Sequence, residues 1–141
     1  MLNLEPIERR VMQMLLAGEH PVLETLREQF DSSGVSDREY TGVGFFTSFT
    51  VRDDLPRLQP PRRIVIGDVC ADIVGLEYGC GFILFIDDGV LGTLECHLWG
   101  DDAFPNDPRY TRLYYIHQPD PPHVAETNHR DVVSLNAKLA K

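Results

Sequence analysis

The segment Glu95-Cys96-His97 combines three residue types that bind metals or transfer protons. Successive side chains of a strand point to opposite faces, so Glu95 and His97 share one face, about 7 Å apart, and Cys96 points the other way. A zinc site needs three or four ligands, and this segment offers no third one. The pattern predicts a polar strand face that holds no metal. A small enzyme or metal-dependent protein using Glu95 and His97 is the alternative.

Three aspartate doublets form the second group of candidate residues: Asp53-Asp54, Asp87-Asp88 and Asp101-Asp102. Each stands beside the end of a predicted strand, where aspartate also serves as a turn former. If the three loops meet at one end of the sheet, they form an anionic patch suited to a protein surface rich in lysine and arginine. Trp99, close to the third doublet, can supply an aromatic anchor for such a contact.

The glycine-rich segments carry no catalytic pattern. Gly42-Val43-Gly44 and Gly79-Cys80-Gly81 each lead into a predicted strand, whereas a phosphate-binding loop leads into a helix N-terminus. The sequence also contains no nucleophile elbow, zinc-protease motif or Walker loop. We therefore predict no cofactor and favour a noncatalytic protein.

Charge and hydropathy limit the partners. The chain has 141 residues, of which 22 are acidic and 13 basic, and its net charge of -9 disfavours nucleic acids and anionic membranes. The longest strongly apolar stretch, residues 81–86, is far shorter than the ~20 residues that span a bilayer. No signal-peptide pattern opens the chain, and three cysteines in no paired motif suit a reducing compartment. These features predict a cytoplasmic protein with a basic protein partner.

The sequence predicts two helices near the N-terminus. Apolar residues recur at helical spacing between Pro6 and Gly18, and again between Pro21 and Phe30. The segment Ser36-Asp37-Arg38-Glu39 has capping-box spacing, but glycines follow too soon for a helix. A connector is therefore predicted there.

Alternating apolar residues from Val43 onward indicate about five strands, the last over residues 110–117. Asp88-Gly89 predicts a hairpin turn. A two-residue turn pairs Cys80 with His97, and a three-residue bulged turn pairs Cys80 with Cys96; both registers remain open.

Because no helix separates the strands, the class is α+β, with the helical pair packed on a mainly antiparallel sheet. Residues 1–118 are predicted as a single domain. Residues 119–141 are predicted as a C-terminal tail, in which residues 132–139 form a helix that is marginal unless it docks.

The helices of Pro6 to Leu26, the run Gly42-Val43-Gly44-Phe45-Phe46 and the hairpin from Gly81 to Glu95 together resemble small uncharacterised bacterial α+β proteins, some of them immunity-like. The resemblance covers residues 6 to 117, rests on structural motifs and implies protein binding. We therefore predict a noncatalytic interaction module that binds a basic protein partner through the acidic doublets and Trp99. A small-ligand binder, with its site between the helical pair and the sheet, is a further alternative.

Overall fold

The computed structural model describes residues 2–117, 125–127 and 129–140. The chain begins with two helices, α1 (Pro6–Leu15) and α2 (Pro21–Asp31), as predicted. Each begins with a proline, whose fixed φ suits the first helical turn and whose missing N–H costs no hydrogen bond there.

Among the described residues, seven strands follow and form one antiparallel sheet in the order β1-β2-β5-β4-β3-β6-β7. The strands are β1 (Gly34–Tyr40), β2 (Gly44–Thr50), β3 (Ile64–Ile73), β4 (Cys80–Asp87), β5 (Val90–Leu98), β6 (Tyr110–His117) and β7 (Ala125–Thr127). The mixed α+β class is confirmed. The predicted number of strands, about five, is too low. A third helix, α3 (Val132–Leu139), lies outside the N-terminal pair, in the segment where a short helix was predicted.

Strand β1 occupies the segment predicted as a connector. It lies at the sheet edge and pairs with β2 on one side. Val35 is buried in the core, but Asp37 and Glu39 are exposed. An edge strand that exposes so many charges shows no apolar alternation, and so its sequence carries little of the usual strand pattern.

Helices α1, α2 and α3 lie on one face of the sheet. Leu15 of α1, Leu26 of α2 and Leu139 of α3 have no exposed surface, and they join alternate sheet residues such as Phe82 and Leu94 in a single buried cluster. Burying this apolar surface stabilises the sheet and helices as one unit. The opposite face of the sheet carries no helix in the described part of the chain.

The β4–β5 hairpin has neither of the two predicted registers. Asp87 pairs with Val90 across a two-residue turn, but β5 then contains a bulge, so that Ile86 pairs with Leu91 and Phe85 pairs with Thr93. Cys80 consequently lies opposite Leu98. The extra residue is Gly92; a Cβ there would lie 3.1 Å from Phe85 O, so this position suits a glycine.

The described part of the predicted tail is docked on the domain. Arg130 donates to Asp68 Oδ2 at 2.8 Å, and also to the carbonyl oxygens of Leu15 and Ala17 at the end of α1. Leu135 and Leu139 of α3 are buried. Docking supplies the tertiary contacts without which this short helix would be marginal.

Candidate functional site

The loops of the sheet lie at two opposite ends, because neighbouring strands are antiparallel. Loops 41–43, 74–79 and 99–109 lie at one end, which we call the aromatic end. Loop 51–63 and the hairpin turn 87–90 lie at the other, which we call the arginine end. The length of β5 separates the two ends by about 30 Å.

The three aspartate doublets do not converge. Asp53-Asp54 and Asp87-Asp88 lie at the arginine end, and Asp101-Asp102 lies at the aromatic end. The single anionic patch that their convergence would form is therefore not present. Two loops that are separated along the chain by an odd number of antiparallel strands lie at opposite ends of the sheet. The spacing of the doublets in the sequence does not show how many strands lie between them.

At the arginine end, aspartates are matched by arginines. Loop 51–63 contains four arginines, and three of the four aspartates of this end contact one of them. The N–O separations are 2.5 Å for Arg52–Asp54, 3.6 Å for Arg57–Asp88 and 3.4 Å for Arg63–Asp87. This end therefore presents little net charge to a partner.

The aromatic end exposes apolar side chains. Of the eight large hydrophobic residues that are exposed in the described part of the chain, five belong to this end: Tyr40, Val43, Val74, Tyr78 and Trp99. Their exposed fractions run from 40% for Trp99 to 65% for Tyr40. Exposed apolar residues concentrated in one place mark interaction surfaces, whereas scattered ones need no explanation.

Carboxylates surround these apolar residues. Glu77, Asp101, Asp102 and Asp107 are all exposed, and Arg109 is the single basic residue of the three loops. Within residues 2–117, 125–127 and 129–140, none of the four carboxylates forms an ion pair. The end therefore combines apolar contact area with negative charge that is open to a partner.

Backbone hydrogen bonds join the three loops into one surface. Phe104 N donates to Gly42 O at 2.8 Å, and Trp99 N donates to Gly79 O at 3.0 Å. Loop 74–79 is also held at its start, where Val74 N donates to Arg109 O at 2.9 Å. Loops held in this way lose little conformational entropy when a partner binds.

Residues on the helix-free face of the sheet fix the orientation of the Trp99 ring. Its ring meets that of His97 edge to face, with centroids 4.6 Å apart. Gly81 makes the space for both rings, because a Cβ on this residue would lie 2.8 Å from Trp99 Cζ2 and 2.9 Å from His97 Cε1. Within the described chain, the buried His97 Nδ1 has no hydrogen-bond partner, and burial lowers the pKa of His97.

Glu95 and His97 share the helix-free face, and Cys96 is buried in the core on the other side, as predicted. The cross-strand neighbours of His97 are Gly44 and Gly81, which have no side-chain ligand to offer. Within the described residues, no group of three or more histidine, cysteine, aspartate or glutamate residues is arranged to hold a metal ion. In the described chain, the two cross-strand neighbours therefore add no ligand or proton-transferring side chain to His97.

A cavity of about 750 Å³ opens on the helix side of the aromatic end, beside the N-terminus of α1. Its polar base is an ion pair: Arg38 Nη2 donates to Glu8 Oε1 at 2.6 Å, and Arg38 Nε donates to Glu8 Oε2 at 3.0 Å. Glu8 has no exposed surface and also accepts from Thr47 Oγ1 and from Glu5 N. Both oxygens of this carboxylate therefore already have hydrogen-bond partners.

The sequence analysis named a ligand site between the helical pair and the sheet as an alternative, but it did not identify the residues of this cavity. Arg38 falls in the segment predicted as a connector, and Glu8 is a polar position of an amphipathic helix. The available signal was Glu8 at the third position of α1, where a carboxylate commonly accepts from the residue before the helix, as it does from Glu5 N.

Comparison with protein families, with curated proteins and with solved structures finds no match. The resemblance to small bacterial immunity-like proteins therefore stays a prediction. In the described part of the chain, no helix is long and apolar enough to cross a bilayer.

Proposed function

We propose that this chain is a noncatalytic protein-interaction module that binds a basic protein partner through the aromatic end. The observation that carries the proposal is the coincidence of exposed apolar side chains and unpaired carboxylates on the same hydrogen-bonded loops. Asp101, Asp102 and Trp99 are the residues expected from the sequence that take part. Asp53, Asp54, Asp87 and Asp88 become secondary candidates, because most of them already contact arginines.

The aromatic and the acidic residues contribute differently to such a contact. Burial of Trp99 and Tyr78 against a partner supplies most of the affinity, since aromatic side chains dominate the energetics of interfaces. The carboxylates raise the rate of association with a basic surface and disfavour acidic competitors. An immunity-like role, in which the chain blocks its basic partner in the bacterial cytoplasm, is part of this proposal. The three free, buried cysteines agree with a reducing compartment.

The experiment begins by capturing the partner on the immobilised chain and identifying it by mass spectrometry. Association kinetics are then measured for Asp101→Lys/Asp102→Lys and for the matched control Asp53→Lys/Asp54→Lys. We expect the first variant to associate about tenfold more slowly and to depend less on salt. The control should stay within about twofold of the parent chain, because its end lies far from the interface and screening acts over about 8 Å at physiological ionic strength. An acidic partner, or equal effects of the two variants, would contradict the proposal.

The alternative of a metal-dependent protein using Glu95 and His97 has its own test. Metal content is measured in protein purified without a histidine tag, for the parent chain and for His97→Ala. We expect less than stoichiometric transition metal in both, because the cross-strand neighbours of His97 supply no ligand. One equivalent of zinc or iron that disappears in the variant would favour the metal-dependent alternative over the interaction module.

The cavity supports a second candidate function, the binding of a small ligand. Its volume of about 750 Å³ lies within the usual range of ligand sites, and its walls combine aromatic rings with a few polar groups. A thermal-shift screen of metabolites tests this function. A compound that raises the melting temperature of the parent chain but not of Tyr40→Ala would support it.

A further inference from the structure

We propose that the cavity receives a lysine or arginine side chain of the basic partner. The inference rests on the proposed function, because it names what the partner inserts beside the aromatic end. Its basis is the pairing of aromatic walls with a surplus of negative charge.

The walls form a connected set of rings. The centroids of Tyr40 and Phe45 are 6.1 Å apart, and those of Phe45 and Phe104 are 5.9 Å apart with planes at 75°. Tyr110 contributes a fourth ring, and its hydroxyl stays neutral because burial raises its pKa. A cation placed within about 6 Å of a ring centroid is attracted by the negative face of the ring.

The charges of the cavity favour a cation over an anion. Arg38 is the single basic residue among the lining residues, and its guanidinium is held in a two-point ion pair with buried Glu8. That pair is neutral as a unit. The two remaining charged residues of the lining are Glu5 and Asp107, both of which are exposed. The surplus at the cavity is therefore two negative charges.

The shape and chemistry suit a protein side chain better than a metal ion. The carboxylates belong to no group of three or more metal-binding residues in the described chain, so a bare cation would lack ligands. The apolar walls formed by Ile7, Pro6 and Pro105 can instead cover the aliphatic stem of a lysine or arginine whose charged head meets the carboxylates.

The cavity and the exposed surface of the aromatic end are continuous. Gly42 lines the cavity, and its neighbour Val43 is one of the exposed apolar residues. The bond from Phe104 N to Gly42 O holds this boundary in place. A partner that lies on Trp99 and Val43 can therefore place one basic side chain in the cavity.

The test uses the full chain, labelled with ¹⁵N, and capped tripeptides Gly-X-Gly in which X is lysine, arginine, norleucine or glutamate. Amide shift changes are followed during titration. We expect lysine and arginine peptides to shift the amides of Tyr40, Phe104 and Asn106, and norleucine to bind at least fivefold more weakly. Equal binding of norleucine, or preferential binding of glutamate at Arg38, would overturn the inference.

Two variants and one control locate the binding. Tyr40→Ala and Asp107→Asn should each weaken the lysine peptide at least threefold, and both sites are exposed enough for the fold to persist. Glu28→Gln, which changes an exposed carboxylate of α2 outside the cavity lining, should change it less than twofold. Unchanged binding by Asp107→Asn would place the peptide elsewhere and overturn the inference.

Failure of the inference is distinguishable from failure of the proposed function. If Asp101→Lys/Asp102→Lys slows the partner but lysine shows no advantage over norleucine, the cavity assignment alone is wrong. If the lysine peptide binds as expected but that variant leaves the partner unaffected, the cavity assignment stands and the proposed interface is wrong.

Discussion

The two ends of the sheet use the same Asp-Asp sequence for different purposes. At the arginine end, Asp54, Asp87 and Asp88 contact arginines of loop 51–63. At the aromatic end, Asp101 and Asp102 have no such partner within the described residues and stand beside exposed Trp99. The charge of an acidic doublet is therefore available to another molecule only where the folded chain places no arginine beside it.

The arginine end also uses its other polar groups internally. Gln29 of α2 is fully buried, and its amide nitrogen donates to Pro56 O at 2.9 Å and to Gly89 O at 3.1 Å. Its amide oxygen accepts from Leu91 N at 2.9 Å. One side chain therefore ties a helix, loop 51–63 and the hairpin turn together. We interpret this end as structural and the aromatic end as the one that binds.

The largest expected effect is the loss of stability when the buried ion pair of the aromatic end is broken, compared with an exposed ion pair of the arginine end. Glu8→Ala leaves Arg38 largely buried without its carboxylate, and should lower the free energy of unfolding by about 3–5 kcal/mol. Asp54→Ala removes an exposed pair and should change it by less than about 0.5 kcal/mol. Urea denaturation monitored by circular dichroism measures both. Similar values for the two variants would contradict the contrast in burial.

The second prediction separates stability from binding. Gln29→Ala removes the partner of the Leu91 amide and of Pro56 O, while Gly89 O keeps its hydrogen bond from Leu58 N. The variant should cost about 1–3 kcal/mol of stability. Affinity for the captured partner should stay within twofold, because the aromatic end is untouched. If Gln29→Ala also lost its affinity for the partner, the two ends would not be independent.

The third prediction concerns the position of Trp99, the single tryptophan of the chain. Gly81→Ala forces the rings of Trp99 and His97 to move, because the new Cβ would lie within 3 Å of each. The matched control Gly67→Ala meets its nearest atom, Ile83 Cγ1, at 3.4 Å. We expect a shifted tryptophan emission spectrum and a loss of about 1 kcal/mol for the first variant. An unshifted spectrum would mean that Gly81 does not set the position of Trp99.

The smallest expected effect is a pH dependence from His97. Burial lowers the pKa of His97 in the folded chain, although Glu95 opposes the shift, and the unfolded imidazole titrates near pH 6.5. The unfolded chain therefore binds more protons at acidic pH. The contribution of His97 to stability is complete above about pH 6.5 and declines as the pH falls below it.

Denaturation of the parent chain and of His97→Gln between pH 5 and pH 8 tests this effect, with exposed His129→Gln as the control. The His97 variant should show a flatter dependence of stability on pH, and the control should follow the parent chain. A control that flattens the curve as much as the His97 variant would assign the effect to another group.

The elements predicted correctly are those with strong local signals. Helices α1 and α2 begin at Pro6 and Pro21, and the hairpin turns at Asp88-Gly89, where φ is positive at both residues. Proline at a first helical turn and Asp-Gly in a two-residue turn act through the backbone of neighbouring residues, so short sequences reveal them.

The candidate site was only partly visible in the sequence. Trp99 and the doublet Asp101-Asp102 were identified by residue type, but Tyr40, Tyr78 and the Glu8–Arg38 cavity were not. These residues come from distant segments, and each has an ordinary role in its own element. Their grouping depends on strand order, which no local pattern encodes.

From the sequence we could predict the helical pair, the turn of the hairpin, the alternation of Glu95 and His97 against Cys96, and the acidic net charge. Each of these follows from neighbouring residues or from composition. The folded chain was needed to reveal the pairing of β1, the register shift at Gly92 and the placement of the doublets at opposite ends. These features depend on pairings between segments far apart in the chain, because a polar edge strand or a bulge is stabilised by its neighbours in the sheet.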